Sequence, residues 1–453
     1  MISNTEKRPN GSRKRQLHLS RLLFLGLAFL LVGCIGRSAT QILSPAPNLY
    51  TFETGQTYPA EAVPIQLRET TTEIFYVTDR NPMGSGEDPS RYGDERSDSM
   101  AFGASLIEYG NMTSWEELID QTQSQKRQAQ TKIDIKAIDE ITRFPATPLP
   151  FQAGGGRLQT TEAANAAYSS SASQMRAALS QKLRVYGVDR VLVYVHGFNN
   201  DFDDAVNTLA SLWHYSGRRS LPIAFSWPAG NQGPLAYFRD IESGEFSIFH
   251  AKEFLRILVS VPELDRIDIV AHSRGSAEKP TALRELLIEA REAGQVPRKA
   301  MKTGVLVLAA ADIDVGVARQ RLVAERFVDA FEQINIYTNP NDEALRLSRI
   351  IGKVTRLGGL DPRALGMAAL NDVRERKHVG VINVEGRGAE IGHAYFRENP
   401  AVLSDIVLTL RTRSLPGSQF RPLEEISPGF FSLHQNYPAE KLPEVLDRPS
   451  VDR

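Results

Sequence analysis

Cysteine is nearly missing: Cys34 is the single one in 453 residues. One thiol cannot form an intramolecular disulfide, so the fold must rest on packing alone. The eight histidines are scattered, with no Cys/His cluster at zinc spacing, and neither a metal nor a cofactor is expected. Charge of one sign is lacking too. A net charge of −1 gives no footing for a nucleic-acid partner. There is no G-x-x-x-x-G-K-S/T loop for nucleotide phosphates and no internal repeat. The apolar run from Leu22 to Val32 falls short of the ~20 residues that a membrane span needs. What is present is apolar content, 42% of the chain, enough to bury one large core or two modest ones.

The N-terminal segment has its own pattern. Lys7, Arg8, Arg13, Lys14, Arg15 and Arg21 stand against one acid, Glu6, ahead of that apolar run. Basic, apolar, then small residues is the order of a secretory signal. It ends Leu31-Val32-Gly33-Cys34, which resembles the bacterial lipobox, where cleavage before the cysteine leaves it lipidated. Residues 1–33 are therefore expected to be a signal peptide and Cys34 the lipid attachment point, with the membrane as a partner. Several acyl chains on one residue anchor stably where one is marginal, since each buried CH₂ contributes ~0.8 kcal/mol. Ile35, in place of the aspartate that favours inner-membrane retention in such lipoproteins, implies the outer membrane, facing the periplasm.

From Ile35 to about Leu67 the chain is rich in Pro, Thr, Ser and Ala without periodicity, so residues 34–70 are expected to be a tether. Ordered structure is expected from the strand Thr72 to Arg80, stopped by Asn81-Pro82. Residues 71–185 then read as strands followed by a variable helical and loop segment, with Gly154-Gly155-Gly156 as a loop. Residues 186–413 alternate strand and helix. The strands are Arg190–Val195, Pro222–Trp227, Ile267–Val270, Val305–Ala311, Ile334–Thr338 and Val379–Val384. Helices fall at Phe246–Val259, Thr281–Ala293, Val317–Phe331 and Pro400–Leu410. Near-continuous apolar strands alternating with helices predict an α/β fold, a mostly parallel sheet with helices on both faces. Residues 414–453 are expected to be an irregular tail.

The stretch that organises the rest is Ala271-His272-Ser273-Arg274-Gly275, between the strand ending at Val270 and a helical segment. It is a variant of the G-x-S-x-G turn, with Ala271 for the first glycine. A serine pushed out on a sharp strand–helix turn needs small residues on both sides. In open parallel sheets function collects at the carboxyl ends of strands, and other ends here carry suitable partners. Asp342 follows the strand ending at Thr338, Asp312 and Asp314 follow the strand ending at Ala311, and His393 follows the strand ending at Val384. His196-Gly197-Phe198 follows the strand ending at Val195 and offers backbone donors. Asp201, Asp203 and Asp204 precede a helical pattern and are read as helix caps rather than metal ligands.

Seven ordered pieces make the resemblance specific. They are Phe75-Tyr76-Val77-Thr78-Asp79-Arg80, Tyr194-Val195-His196-Gly197-Phe198-Asn199-Asn200, Phe225-Ser226-Trp227-Pro228, the serine pentapeptide, Asp312-Ile313-Asp314, Tyr337-x-x-x-Asn341-Asp342-x-Ala344-Leu345, and Gly392-His393-x-Tyr395-Phe396. From about Ile74 to Leu410 the chain resembles a bacterial family of α/β-hydrolases of the esterase/lipase superfamily. The resemblance implies the α/β-hydrolase fold and a serine hydrolase acting on a small-molecule or lipid ester. It implies Ser273 as nucleophile, His393 as base, and backbone N–H groups of Arg274 and near Phe198 as oxyanion donors. Asp342 is preferred as the acid over Asp312 and Asp314, because it sits among the turn formers Asn339-Pro340-Asn341, whereas Asp314 is placed to cap a helix. His196 and His272 are assigned packing roles, and His214, His250, His378 and His434 carry no motif.

Two features depart from this pattern. Arg274 is a long cation where an apolar residue is common, which points to acidic or polar substrates. Pro280 falls early in the helix after Ser273, where it should break the helix or distort the turn, at ~3 kcal/mol. That keeps open a second class of function, a non-catalytic hydrolase fold serving as a binding or scaffold lipoprotein of the cell envelope. Residues 352–378 read equally as a lid or a connecting loop.

Overall fold

The computed structural model describes residues 41–443, apart from 53–55, 84–90, 111, 125–129, 155–156, 232–234, 362–375, 377, 387–391 and 440–441. Cys34 and the basic segment lie outside these residues, as do most of 352–378. The first strands are β1 (Gln41–Ile42), β2 (Thr71–Met83), β3 (Arg91–Tyr109) and β4 (Lys132–Arg143), followed by a separate hairpin of β5 (Phe151–Gly154) and β6 (Arg157–Thr160). Then come β7 (Arg190–Val195), β8 (Leu221–Ser226), β9 (Arg266–His272), β10 (Thr303–Ala309), β11 (Gln333–Thr338) and β12 (Val379–Val384). The last two are β13 (Glu424–Ser427) and β14 (Phe430–Leu433).

All but the hairpin join one twelve-stranded sheet in the order β1-β4-β3-β2-β8-β7-β9-β10-β11-β12-β14-β13. The run from β2 to β14 is parallel throughout, and antiparallel pairs extend it at both edges. Every residue of β8, β9 and β10 is buried, as in strands covered on both faces; β10 is accordingly apolar from Val305 to Ala309, while β9 accommodates Arg266 and Asp268 by pairing them with each other. The longer helices are α1 (Trp115–Gln123), α2 (Glu162–Tyr186), α3 (Phe202–Tyr215), α4 (Ala236–Val259), α5 (Gly275–Glu292), α6 (Glu343–Gly352) and α7 (Pro400–Thr412). The start of α3 is a capping box, with Asp201 accepting from the Asp204 amide and Asp204 accepting in return. Two of the three clustered aspartates are thus accounted for as caps.

The structure departs from the sequence reading at several places. The expected tether, 34–70, is packed from Gln41 onward. Gln41 and Ile42 pair with Ile133 and Lys132 of β4, and Leu43, Leu49, Tyr50, Tyr58 and Leu67 join the main core. This segment docks by isolated anchors between prolines, so it has no period to read. The expected irregular tail, 414–453, contains β13 and β14, and β14 extends the parallel sheet beside β12. Four-residue strands leave too short a trace for alternation to show. β4 falls inside the stretch read as helix and loop, because its many charged residues hide the strand. The helix expected over 317–331 is a turn of α-helix at Val315–Ala318, one of π-helix at Arg319–Val323 and one of 3₁₀ at Phe327–Ala330.

Pro280 neither breaks the helix nor displaces the turn before it. α5 runs from Gly275 to Glu292 with Pro280 inside, and the Thr281 hydroxyl donates to the Ala277 carbonyl.

Candidate active site

Ser273 follows β9 directly, at the turn into α5. Its φ is +50°, in the left-handed region that costs a non-glycine residue about 1 kcal/mol or more. Three bonds hold it there. Its N–H donates to the Ala309 carbonyl at 2.9 Å, and its carbonyl accepts from Ser276 and Asp312, each at 3.1 Å. Gly275 is forced by space, since a Cβ there would stand 2.3 Å from the His196 carbonyl oxygen.

The Ser273 Oγ lies 2.7 Å from Nε2 of His393. Nδ1 of His393 lies 2.7 Å from Oδ2 of Asp342. The other Asp342 oxygen accepts the Leu345 amide at 3.0 Å, because Asp342 is the N-cap of α6. Asp342 is buried and His393 about a quarter exposed, so the ring reaches solvent while its acid does not. Tyr395, two residues on, pins this segment to the sheet. Its hydroxyl accepts from the Ala310 amide at 2.9 Å and donates to the Tyr337 carbonyl at 2.8 Å.

Asp312 and Asp314 are engaged elsewhere. Asp312 accepts from Tyr237 at 3.0 Å and Ser348 at 2.7 Å, and pairs with Arg356 at 3.1 Å. Asp314 caps the helical turn after it, through the Val317 amide. His272 packs its ring against His393 and Phe396 and donates from Nε2 to the His393 carbonyl at 3.1 Å. Burial, followed by the nearby His393, holds its pKa well below the usual histidine value. His196 stacks on Trp227 at 5.1 Å, and burial with the adjacent Arg80 likewise depresses it. Both rings are therefore neutral packing elements at neutral pH.

The loop after β7 runs against the serine. A Cβ on Gly197 would come within 2.7 Å of the Ser273 Cβ and 3.0 Å of His272 Nδ1. The amides on either side of Phe198 are committed. That of Gly197 donates to Asn200 Oδ1 at 3.3 Å and that of Asn199 to Asp240 Oδ2 at 3.0 Å. Arg274, the other expected donor, occupies the N-cap position of α5.

Residues 171–411, over half the chain, match the family described as alpha/beta hydrolase of unknown function (DUF900). The chain belongs to that family. No curated protein sequence matches it. Among solved structures, a Pyrobaculum calidifontis esterase is similar at 11% identity over 51% of this chain and 78% of its own, with a TM-score of 0.27. The iron-lacking apo form of ESTFA is similar at 12% identity over 49% of this chain and 75% of its own, with a TM-score of 0.24. Those scores are too low to carry an argument about the site.

Within this hydrolase-family site, three residues had no role at the level of sequence. Arg80 is fully buried and ties four elements together: it donates to the Gly93, Ala229 and Asn200 carbonyls at 2.8–2.9 Å and to Ser226 Oγ. Burial lowers its pKa to about 10, so it remains a cation at neutral pH. Its visible signals were its place at the end of an apolar strand and in the first of the seven matching pieces, neither of which states a role. Asp240, on α4, collects the amides of Asn199, Gly230 and Asn231, which oppose the upward pull of burial on its pKa. Tyr237, on α4, packs against Phe198 at 5.5 Å and reaches Asp312. Neither carries any local pattern, since their contacts exist only after folding.

Proposed function

We propose that this protein is a serine hydrolase that cleaves the acyl bond of a small-molecule or lipid ester through an acyl-enzyme on Ser273. The observation that carries this reading is the unbroken hydrogen-bond chain from Asp342 through His393 to Ser273. A hydroxyl is a weak nucleophile without a paired base. His393 Nε2 takes the Ser273 proton as Oγ attacks the acyl carbon, and then delivers that proton to the departing alkoxide. Water, deprotonated by the same nitrogen, releases the acid and restores Ser273. Asp342 keeps the proton on Nδ1, which leaves Nε2 free to accept, and stabilises the imidazolium that forms. The backbone N–H groups of Phe198 and Arg274 serve as oxyanion donors, where losing one donor typically costs about 3 kcal/mol. No cofactor enters these steps.

A fluorophosphonate probe tests the assignment. The wild-type protein should be labelled covalently and Ser273→Ala should not, with both giving the same far-UV circular dichroism. Labelling that survives the substitution would place the nucleophile elsewhere. The same proposal includes an envelope location: the chain is held to the outer membrane, facing the periplasm, by lipid on Cys34.

A further inference from the structure

A pocket of about 250 Å³ lies along a partly buried face of α5, beginning at the residue after the serine. Arg274, Ala277, Thr281 and Arg284 form one wall; their spacing of three and four residues puts them on a single helical face. Ile313, Val317 and Arg321, from the segment after β10, line it as well, as does Arg356. The pocket adjoins the backbone of the serine: Arg274 follows it in the chain, and the Asp312 amide, also at the pocket, donates to its carbonyl.

The charges here are unevenly committed. Arg284 is held by Glu325 and Arg356 by Asp312. The Asp314 carboxylate accepts the Val317 amide at 2.8 Å. Arg321 is exposed; it attracts the Glu325 carboxylate that Arg284 already holds, but makes no direct ion pair or hydrogen bond among the described residues. Between the arginines the lining is mixed: Ala277, Pro280, Ile313 and Val317 give apolar patches, and Glu245 adds a carboxylate to those of Asp312 and Asp314. The volume is below the ~300–1,000 Å³ of a site for a drug-sized ligand, so whatever enters is small.

We propose that this pocket is a subsite for an anionic group on the ester, a carboxylate or phosphate carried on a short aliphatic arm. The arm lies on the apolar patches and the anion meets the Arg321 guanidinium, whose planar fork suits either oxyanion. Calling the ligand a substrate rests on the serine-hydrolase reading; the binding itself does not.

Titration calorimetry on Ser273→Ala separates the two, because a bound ester is not consumed and no turnover is needed. The probes are monomethyl glutarate, a methyl ester of the same length ending in phosphate, and neutral methyl butyrate. At least one anionic probe should bind about tenfold or more tightly than methyl butyrate, the scale of a charge-assisted hydrogen bond. Adding Arg321→Gln should abolish that difference while melting temperature stays the same, and Arg321→Lys should retain part of it. Equal binding of all three probes overturns the proposal, as does an anion preference indifferent to Arg321→Gln. Absence of fluorophosphonate labelling in the wild type would sink the catalytic reading without touching this one.

Discussion

Asp342 meets His393 with one carboxylate oxygen, at 2.7 Å, while its other oxygen stays on the amide of Leu345. Orienting the ring and capping α6 are thus done by separate atoms of one side chain. Asparagine caps a helix about as well as aspartate but cannot hold the imidazole tautomer in the same way. Asp342→Asn should therefore lower kcat by about 10³–10⁴-fold while denaturant-derived stability changes by less than about 1 kcal/mol. Asp312→Asn, whose contacts run to Tyr237, Ser348 and Arg356, should reduce kcat far less. A kcat for Asp342→Asn within tenfold of wild type would remove that residue from the reaction.

Gly197 is placed by what surrounds it. Any Cβ there would press on Ser273 and His272, both fixed to the sheet, so the loop carrying Phe198 would have to move instead. Overpacking of this kind costs about 1–3 kcal/mol, and misplacing an oxyanion donor by about 1 Å costs on the order of 10²-fold in rate. Gly197→Ala should consequently show a large fall in kcat beside a modest fall in melting temperature. Kinetics and melting measured on one preparation check it.

The neutral histidines make stability depend on pH. His196 and His272 are buried with pKa values well below the usual range, whereas in the unfolded chain both titrate near 6.5. Below that value the unfolded state binds more protons than the folded one, so stability falls as pH drops. Between pH 7.5 and 6 each histidine should remove about 0.8 kcal/mol of unfolding free energy. Raised carboxyl pKa values at Asp204 and Asp240 act with the opposite sign and nearer to the aspartate range. Urea unfolding at the two pH values measures the sum. A flat profile would mean that one ring is charged in the folded protein.

The parallel sheet was legible because buried strands such as β7 and β10 write themselves as nearly unbroken apolar runs. The serine turn was legible because the residues that meet its steric demands fall within one pentapeptide, even though the atom that requires Gly275 belongs to distant His196. The neighbours of Asp342 were not. Choosing it over Asp314 on the ground that Asp314 would cap a helix fails as an argument, since both cap one; the difference lies in which sheet end faces His393. Arg80 and Tyr237 reach partners up to more than a hundred residues away, and Asp240 reaches Asn199 forty-one residues back, so the roles of these side chains cannot be read from a local window. The packed segment after Gln41 was missed for a related reason. Its anchors, Leu43, Leu49 and Tyr58, dock singly rather than as a periodic face.

That packed segment also bears on the proposed lipid anchor. Only six residues, 35–40, separate Cys34 from the strand that begins at Gln41. Fully extended, such a stretch spans at most about 25 Å, so an acylated Cys34 would hold the body against the bilayer rather than on a long leash. Three experiments in a bacterial host follow. Metabolic labelling with an acyl-chain analogue should mark the wild-type protein and leave Cys34→Ser unmarked. Fractionation should move Cys34→Ser out of the outer-membrane fraction. Inserting about twenty Gly/Ser residues after Gly36 should change neither result while lengthening the reach to the membrane, as read by cross-linking distance. Label persisting on Cys34→Ser would end the anchor proposal and leave the serine chemistry as it stands.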